Sequence, residues 1–401
     1  VQTCALPISL IFYLIEETQK KEEIFMKKFM KFVSTVAAVS LVAAPLAVSA
    51  DEKTFLLGGS GPLTGAAASY GTSVKQGAEI AIQEINDAGG AQVGEDTYKF
   101  ELAFEDDEAT EDKAVQAYNT LMDKGINGFL GCTTSGSCIA VAQLSQQDGI
   151  LQITPSGSAE GCIEPDNAFR ICFSDPEQGV AMADYAVDTL GYKKIAVLYN
   201  VADEYSTGIY DAFTAEIEAK GAEIVDAESF NTGDVDFNSQ LTSIKGTDAE
   251  AIYVPAYYQD ITYITKQASE LGMELPFLGS DGWDGVLKTV TDPATVEGCI
   301  FTSPFCASVD DEKVVNFVKA YQDAYGETPD QFAADAYDGV YAFKAAIEEA
   351  GSIESADMID AMTKISVSGL TGDPITFDAS GAAVKDVKFV TVKDGQYTYV
   401  E

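Results

Sequence analysis

Thr54-Phe55-Leu56-Leu57-Gly58-Gly59-Ser60-Gly61-Pro62 decides the fold class. A short apolar run that ends in a glycine-rich turn reads as a buried strand leaving through a loop. Beyond the turn, Val74, Ala78, Ala81, Ile82 and Ile85 recur at helical spacing, and Gly89-Gly90 closes that helix. Lys99 to Glu105 is strand-like again. Strand, loop, helix and strand in this order make a βαβ unit, which builds a parallel sheet covered by helices.

The unit repeats outward from there. Asp112 to Lys124 reads as helix, Gly128 to Gly131 as strand, Ile139 to Gln147 as helix and Ile150 to Thr154 as strand. The alternation restarts after Arg170, with helices at 178–190, 205–220, 237–244 and 261–271 between strands at 194–199, 223–230, 249–254, 276–279 and 298–303. Two such blocks are two domains rather than one overgrown sheet. Amphipathic helices follow at 311–325, 332–350 and 355–365, and a hairpin turned by Asp394-Gly395 ends the chain. The fold class is α/β, with two Rossmann-like lobes of mainly parallel strands.

The chain has 401 residues, 46% hydrophobic and 22% charged, the balance of a globular protein with an ample core. Met26-Lys27-Lys28-Phe29-Met30-Lys31 is a basic segment, Phe32 to Ala44 an apolar block, and Val48-Ser49-Ala50 a cleavage signal. This order is that of a signal peptide over residues 26–50, and the apolar block is too short to span a bilayer. Residues 1–25 precede an initiator methionine, fit no targeting pattern and are read as a non-native leader. No cysteine follows the cut, so no lipid anchor is expected. The mature chain is expected to be exported to the periplasm.

Charge and composition exclude several functions. Lysine and arginine number 24 against 64 acidic residues, and without residues 1–50 the balance is 19 against 60, a net charge of -41. No basic surface exists to replace the counterions of a nucleic acid or to dock on anionic lipid. Histidine is absent. The commonest general base, the commonest zinc ligand and every Ser-His or Cys-His pair are therefore missing, so neither catalytic residues nor a metal or cofactor are expected. Gly58-Gly59-Ser60-Gly61 lacks dinucleotide-binding spacing. Asp234-x-Asp236-x-Asn238 opens like a calcium loop, but Ser239 and Lys245 replace its glycine and closing glutamate, which leaves a helix cap.

Six cysteines follow the signal segment in local pairs: Cys132/Cys138, Cys162/Cys172 and Cys299/Cys306. Six allow 15 pairings, and an exported even set favours disulfides, with buried free thiols as the alternative.

Open α/β sheets bind ligands at the C-terminal ends of their strands. Thr133-Thr134-Ser135-Gly136-Ser137 lies at one such end, and its hydroxyls and helix N–H groups suit a carboxylate. Ordinary capping by Ser137 accounts for the same residues. Thr154-Pro155-Ser156-Gly157-Ser158 repeats the arrangement, and Tyr205, Tyr257 and Asp281-Gly282-Trp283 occupy strand ends in the second block. One carboxylate, hydroxyl loops and aromatics suit a zwitterion with an apolar side chain.

An ordered series of motifs now makes the reading specific: Gly61-Pro62-Leu63-Thr64-Gly65, Ile85-Asn86-Asp87-Ala88-Gly89-Gly90, Glu105-Asp106-Asp107, Asp234-Val235-Asp236-Phe237, Gly279-Ser280-Asp281-Gly282-Trp283 and Tyr337-Asp338-Gly339-Val340. The chain resembles the leucine–isoleucine–valine binding proteins of branched-chain amino-acid ABC transporters, which have the type I periplasmic binding protein fold. The resemblance implies that Ser135 binds the ligand carboxylate. It implies that Ser156 and Ser158 contact carboxylate and ammonium, and that Asp281, beside Gly282, pairs with the ammonium. Tyr70, Tyr205, Tyr257 and Trp283 would form the pocket wall. Residues 51–173 and 305–377 would be one lobe, and 174–304 and 378–401 the other, crossing near Phe173–Asp175, Thr302–Phe305 and Phe377–Ala379. A monomer that closes on an amino acid and delivers it to a membrane permease is the function implied. The alternatives are an amide or other small polar or aromatic solute, a role as a chemoreceptor's ligand-loaded partner or, least, an exported enzyme.

The surplus of acidic charge repels itself, and salt screens it. Raising KCl from about 0.1 M to about 2 M, which shortens the screening length from ~10 Å to under 3 Å, should raise the thermal midpoint. A midpoint in circular-dichroism melts that stays constant or falls would sink this expectation.

Overall fold

The computed structural model describes residues 53–400; the expected leader and signal peptide lie outside the described residues. Strand β1 (Lys53–Gly61) is followed by helix α1 (Ala68–Asp87), β2 (Ala91–Val93), β3 (Asp96–Asp106), α2 (Glu111–Asp123), β4 (Gly128–Leu130), α3 (Ser135–Asp148), β5 (Gln152–Thr154) and β6 (Ala168–Arg170). Their sheet runs β2-β3-β1-β4-β5-β6, parallel except where β2 meets β3. The last five residues of β1 are buried, as befits a strand covered on both faces.

The second sheet starts after α4 (Asp175–Asp184). It takes β7 (Lys194–Asn200), α5 (Glu204–Ala219), β8 (Glu223–Phe230), α6 (Asn238–Lys245), β9 (Ala251–Val254), α7 (Tyr258–Glu270), β10 (Phe277–Gly279) and β11 (Ile300–Thr302). The chain then returns to the first sheet with α8 (Glu312–Tyr325), α9 (Gln331–Ala350) and α10 (Ser355–Met362). It closes with β12 (Thr376–Phe377), β13 (Ala383–Val384), β14 (Phe389–Lys393) and β15 (Gln396–Tyr399). The second sheet runs β15-β14-β11-β10-β9-β7-β8, with β14 alone reversed: it is antiparallel both to β11 and to β15. Asp394 and Gly395, at φ 53° and 71°, supply the left-handed turn expected of the last hairpin.

Three features depart from expectation. The chain does not leave the first sheet at Phe377–Ala379. Ala382 bridges Arg170, the Arg170 N–H donates to the Gly381 carbonyl at 3.0 Å, and the Phe169 and Phe377 rings meet edge to face at 5.9 Å. The passage to the second sheet therefore falls between Val384 and Phe389. The strands β2 and β6 were not foreseen, because three residues are too few to establish a period.

The expected bridges Cys132–Cys138, Cys162–Cys172 and Cys299–Cys306 are also not formed: all six described cysteines are buried free thiols. Each is placed by other contacts. Cys132 accepts the Ser60 hydroxyl at 3.3 Å, Cys138 faces the Cys162 carbonyl, and Cys306 meets the Ser308 hydroxyl at 3.2 Å. Nearness in sequence was not nearness of side chains.

Helices α1 and α9 cross at closest approach at Gly77, where an added Cβ would lie 2.0 Å from the Ala333 carbonyl oxygen. Backbone cannot yield there as a flexible side chain could. Gly77→Ala should cost at least about 2 kcal/mol, the scale of overpacking in a tight core. Exposed Gly94, with nothing near its missing Cβ, provides the comparison, although its positive φ adds a smaller strain of its own. Urea midpoints that coincide for Gly77→Ala and the wild type would reject this.

Candidate functional site between the two sheets

The C-terminal ends of β4 and β5 carry the first half of the site. α3 begins at Ser135, four residues ahead of the expected start, with Thr134 at the N-cap position. No side chain caps this helix, so the expected capping role of Ser137 is not realised. The Thr134, Ser137 and Ser158 hydroxyls are buried and have no hydrogen-bond partner among the described residues. Two of the expected hydroxyls also make scaffold bonds, Ser156 as donor and Ser135 only as acceptor, which leaves the Ser135 O–H free to donate. Ser135 Oγ accepts the Ala159 N–H at 3.2 Å, and the Ser156 hydroxyl donates to the Thr133 carbonyl at 2.7 Å. The donors left free at this helix start are thus the Thr134, Ser135 and Ser137 hydroxyls, together with the leading helix N–H groups. Ser135 and Ser156 shape the loops that present them.

Arg170 and α4 fix the Ser158 loop from behind. The guanidinium donates to the Ser158 carbonyl at 2.8 Å and to the Ala159 carbonyl at 3.3 Å, and the Asp175 N–H donates to the Ser158 carbonyl at 3.0 Å. α4 starts here because Ser174 and Glu177 form a capping box around Pro176.

The second half lies after β10. Residues Asp281–Trp283 form one short 3-10 turn, all buried. Asp281 Oδ1 accepts the Tyr205 hydroxyl at 2.5 Å, the Gly282 N–H donates to that hydroxyl oxygen at 2.8 Å, and the Asp281 N–H donates to Gln178 Oε1 at 2.9 Å. Burial lifts the Asp281 carboxyl to about 6 although the Tyr205 bond favours its ionised form. A Cβ on Gly282 would stand 2.8 Å from the Ala256 carbonyl and from the Tyr205 hydroxyl, so the turn demands glycine.

The three expected tyrosines come together. Tyr205 stacks on Tyr257 with ring centroids 4.9 Å apart, and Tyr70 meets Tyr257 edge-on at 5.6 Å. Tyr70 also ties the halves: its hydroxyl donates to the Gly282 carbonyl and accepts the Tyr258 N–H at 3.1 Å, while the Tyr258 hydroxyl accepts the Ser69 N–H at 3.2 Å. Trp283 is not part of the wall. It is fully buried, donates its indole N–H to the Val254 carbonyl at 2.7 Å and packs in the core beneath β9 and β10. In front of the buried set, a cleft of about 890 Å³ opens between Thr134, Gly136 and Ser137 on one side and Asp203, Glu204 and Tyr257 on the other.

Sequence reasoning missed Asp175. It is 1% exposed, and neither carboxyl oxygen has a hydrogen-bond partner among the described residues. Burial pushes its pKa well above the carboxylate range; the nearby Ser158 hydroxyl lowers it in part, and the charge of Asp281 raises it further. Nothing in the sequence marked it, since an aspartate in the first turn of a helix ordinarily only complements the dipole. Gln178, whose Oε1 also accepts the Thr302 hydroxyl at 2.7 Å, and Gln331, which donates to the Asp281 carbonyl at 2.6 Å, were missed likewise. Among the described residues, no group of three or more metal-ligating side chains converges, and no helix is long and apolar enough to cross a membrane.

The family model described as periplasmic binding protein matches residues 55–396. The chain belongs to this family. Among relatives of the periplasmic binding protein, "Leu/Ile/Val-binding protein BraC3" of Rhizobium johnstonii is 31% identical over 93% of this chain and 93% of its own length. "Leu/Ile/Val-binding protein homolog 3" of Brucella melitensis is 31% identical over 81% of this chain and 86% of its own. The structure of LivJ, a branched-chain amino acid transporter substrate-binding protein from Streptococcus pneumoniae in complex with isoleucine, superposes with a TM-score of 0.80. It has 31% identity and covers 87% of this chain and 99% of that one. The leucine-binding protein LivK from Thermotoga maritima gives a TM-score of 0.79 at 27% identity, covering 86% and 97%. The fold is therefore the expected type I periplasmic binding protein fold.

Asp175→Asn keeps volume and removes charge. Hydrogen bonds to a charged group are worth about 1.5–3 kcal/mol, so affinity for an α-amino acid should fall roughly tenfold or more. The ligand-free thermal midpoint should stay level or rise. Lost stability with unchanged affinity would place Asp175 in the scaffold alone.

Proposed function

We propose that this periplasmic binding protein is an extracytoplasmic receptor for a branched-chain or similar amino acid. It would close on its ligand by a hinge and deliver it to the permease of an ABC transporter. One observation carries the reading: the Thr134 and Ser137 hydroxyls stand free on the cleft shared with Tyr257, and two carboxyls, Asp281 and Asp175 beside the free Ser158 hydroxyl, are buried with no ion-pair partner among the described residues. A carboxylate acceptor opposite an ammonium acceptor is the complement of an α-amino acid head group. The names of the relatives and the isoleucine bound to LivJ support it.

The chain crossings near residues 173–175, 302–305 and 384–389 would act as the hinge. With the cleft open, the carboxyls are solvated. Closure strips their water, and an ammonium between them turns a desolvation cost into charge-assisted hydrogen bonds. Closure is then favoured by the ligand because only the closed form touches it from both sides. The tyrosine cluster would receive the apolar side chain. This would be binding without chemistry, and the role needs no cofactor. Export to the periplasm as a monomer completes the proposal.

A neutral amide or an aromatic acid would leave both carboxyls unpaired, which disfavours those ligands. Calorimetric titration with leucine, isoleucine, valine and 4-methylpentanoate, which is leucine without its ammonium, tests the point. At least one amino acid should bind, and the des-amino acid should bind at least about 30-fold more weakly, the loss from one unpaired buried charge. Protons compete with the ammonium for Asp281, so affinity should fall as pH drops through about 6. Asp281→Asn should weaken binding by about 2–5 kcal/mol and flatten that pH profile. Comparable affinity for leucine and its des-amino analogue would overturn the assignment.

A further inference from the structure

A second set of contacts joins the two sheets' helices away from the ligand cleft. Lys288, at the end of the 3-10 turn Val286–Lys288 that follows β10, reaches Asp330 Oδ2 at 2.9 Å. Asp330 precedes α9, and its carboxyl also accepts the Ser73 hydroxyl of α1 at 2.7 Å and the Ala333 N–H at 3.2 Å. Beside it, Asp284 Oδ2 accepts the N–H of Gln331 at 2.9 Å. The side chain of Gln331 donates to the Asp281 carbonyl at 2.6 Å, so the cluster adjoins the ammonium-binding turn without touching the head-group site.

The charges here are unbalanced. Asp284, Asp330 and Glu327, 3.9 Å from Lys288, face a single lysine. Without Lys288, bringing α9 to this turn would press like charges together and bury the Asp330 carboxylate, whose side chain is 4% exposed, with only neutral partners. With the halves apart, the same carboxylates are hydrated and the lysine gains little. The ion pair therefore acts on the closed form alone.

We propose that Lys288 and Asp330 are a closure latch: positioning residues that set ligand affinity by stabilising the closed form, through Gln331, without contacting the ligand. The inference rests on the hinged-receptor reading above. An apparent dissociation constant scales inversely with the population of the competent state, so weakening the latch lowers affinity and speeds release.

Lys288→Gln, Asp330→Asn and the double variant, titrated with leucine, isoleucine and valine, provide the test. Lys288→Gln should bind roughly 5- to 30-fold more weakly, mainly through faster dissociation, with an unchanged ligand-free thermal midpoint. Asp330→Asn in the Lys288→Gln background keeps the helix cap and removes the stranded charge, so it should recover most of the loss. Lys288→Gln within twofold of wild type, or a double variant worse than Lys288→Gln, overturns the latch and leaves the receptor reading intact. If the wild type binds none of the three amino acids, the receptor reading fails, and small-angle scattering of ligand-free protein decides the latch. Lys288→Glu should then have a larger radius of gyration than wild type, and equal radii overturn it.

Discussion

Two carboxyls, Asp175 and Asp281, are buried between the sheets, and neither forms an ion pair among the described residues. Much of the local structure exists to hold that arrangement. The Tyr205 hydroxyl and the Gln178 side chain fix the Asp281 turn, and the capping box at Ser174 sets the first turn of α4 around Asp175. Under the proposed function, a cationic group between these two carboxyls would supply their missing partner and couple closure to binding. The arrangement also explains why the neighbourhood is rich in tyrosine and poor in lysine: phenol hydroxyls orient a carboxyl without neutralising it.

The fold was legible because its βαβ units are long and periodic. β1 and α1 appear where the apolar spacing puts them, and the hairpin turns at Asp394-Gly395 as its residues require. What failed was short or non-local. β6 is too brief to show a period, and the pairing of Ala382 with Arg170 joins residues more than two hundred apart, which no local pattern reveals. The cysteine pairs failed for the same reason, since the members of each pair lie on different elements or loops, which sequence spacing does not show.

The site was legible by residue type more than by role. Serines and threonines at strand ends suggested a carboxylate cradle, but only geometry shows which hydroxyl gives its proton to the loops, as that of Ser156 does, and which keep theirs, as those of Thr134, Ser135 and Ser137 do. Trp283 was drawn to the wall by its position beside Gly282, yet the 3-10 turn rotates it into the core. Asp175 was invisible because its chemistry comes from burial, which a sequence does not print.

Arg170 is the only arginine in the chain; every other basic residue is a lysine. It sits where the first sheet ends, and one terminal nitrogen, Nη1, reaches two successive carbonyls of the loop that carries Ser158. Arg170 therefore braces that loop from behind, beside the Asp175 N–H, and a change there would loosen the loop without removing any group that lines the cleft.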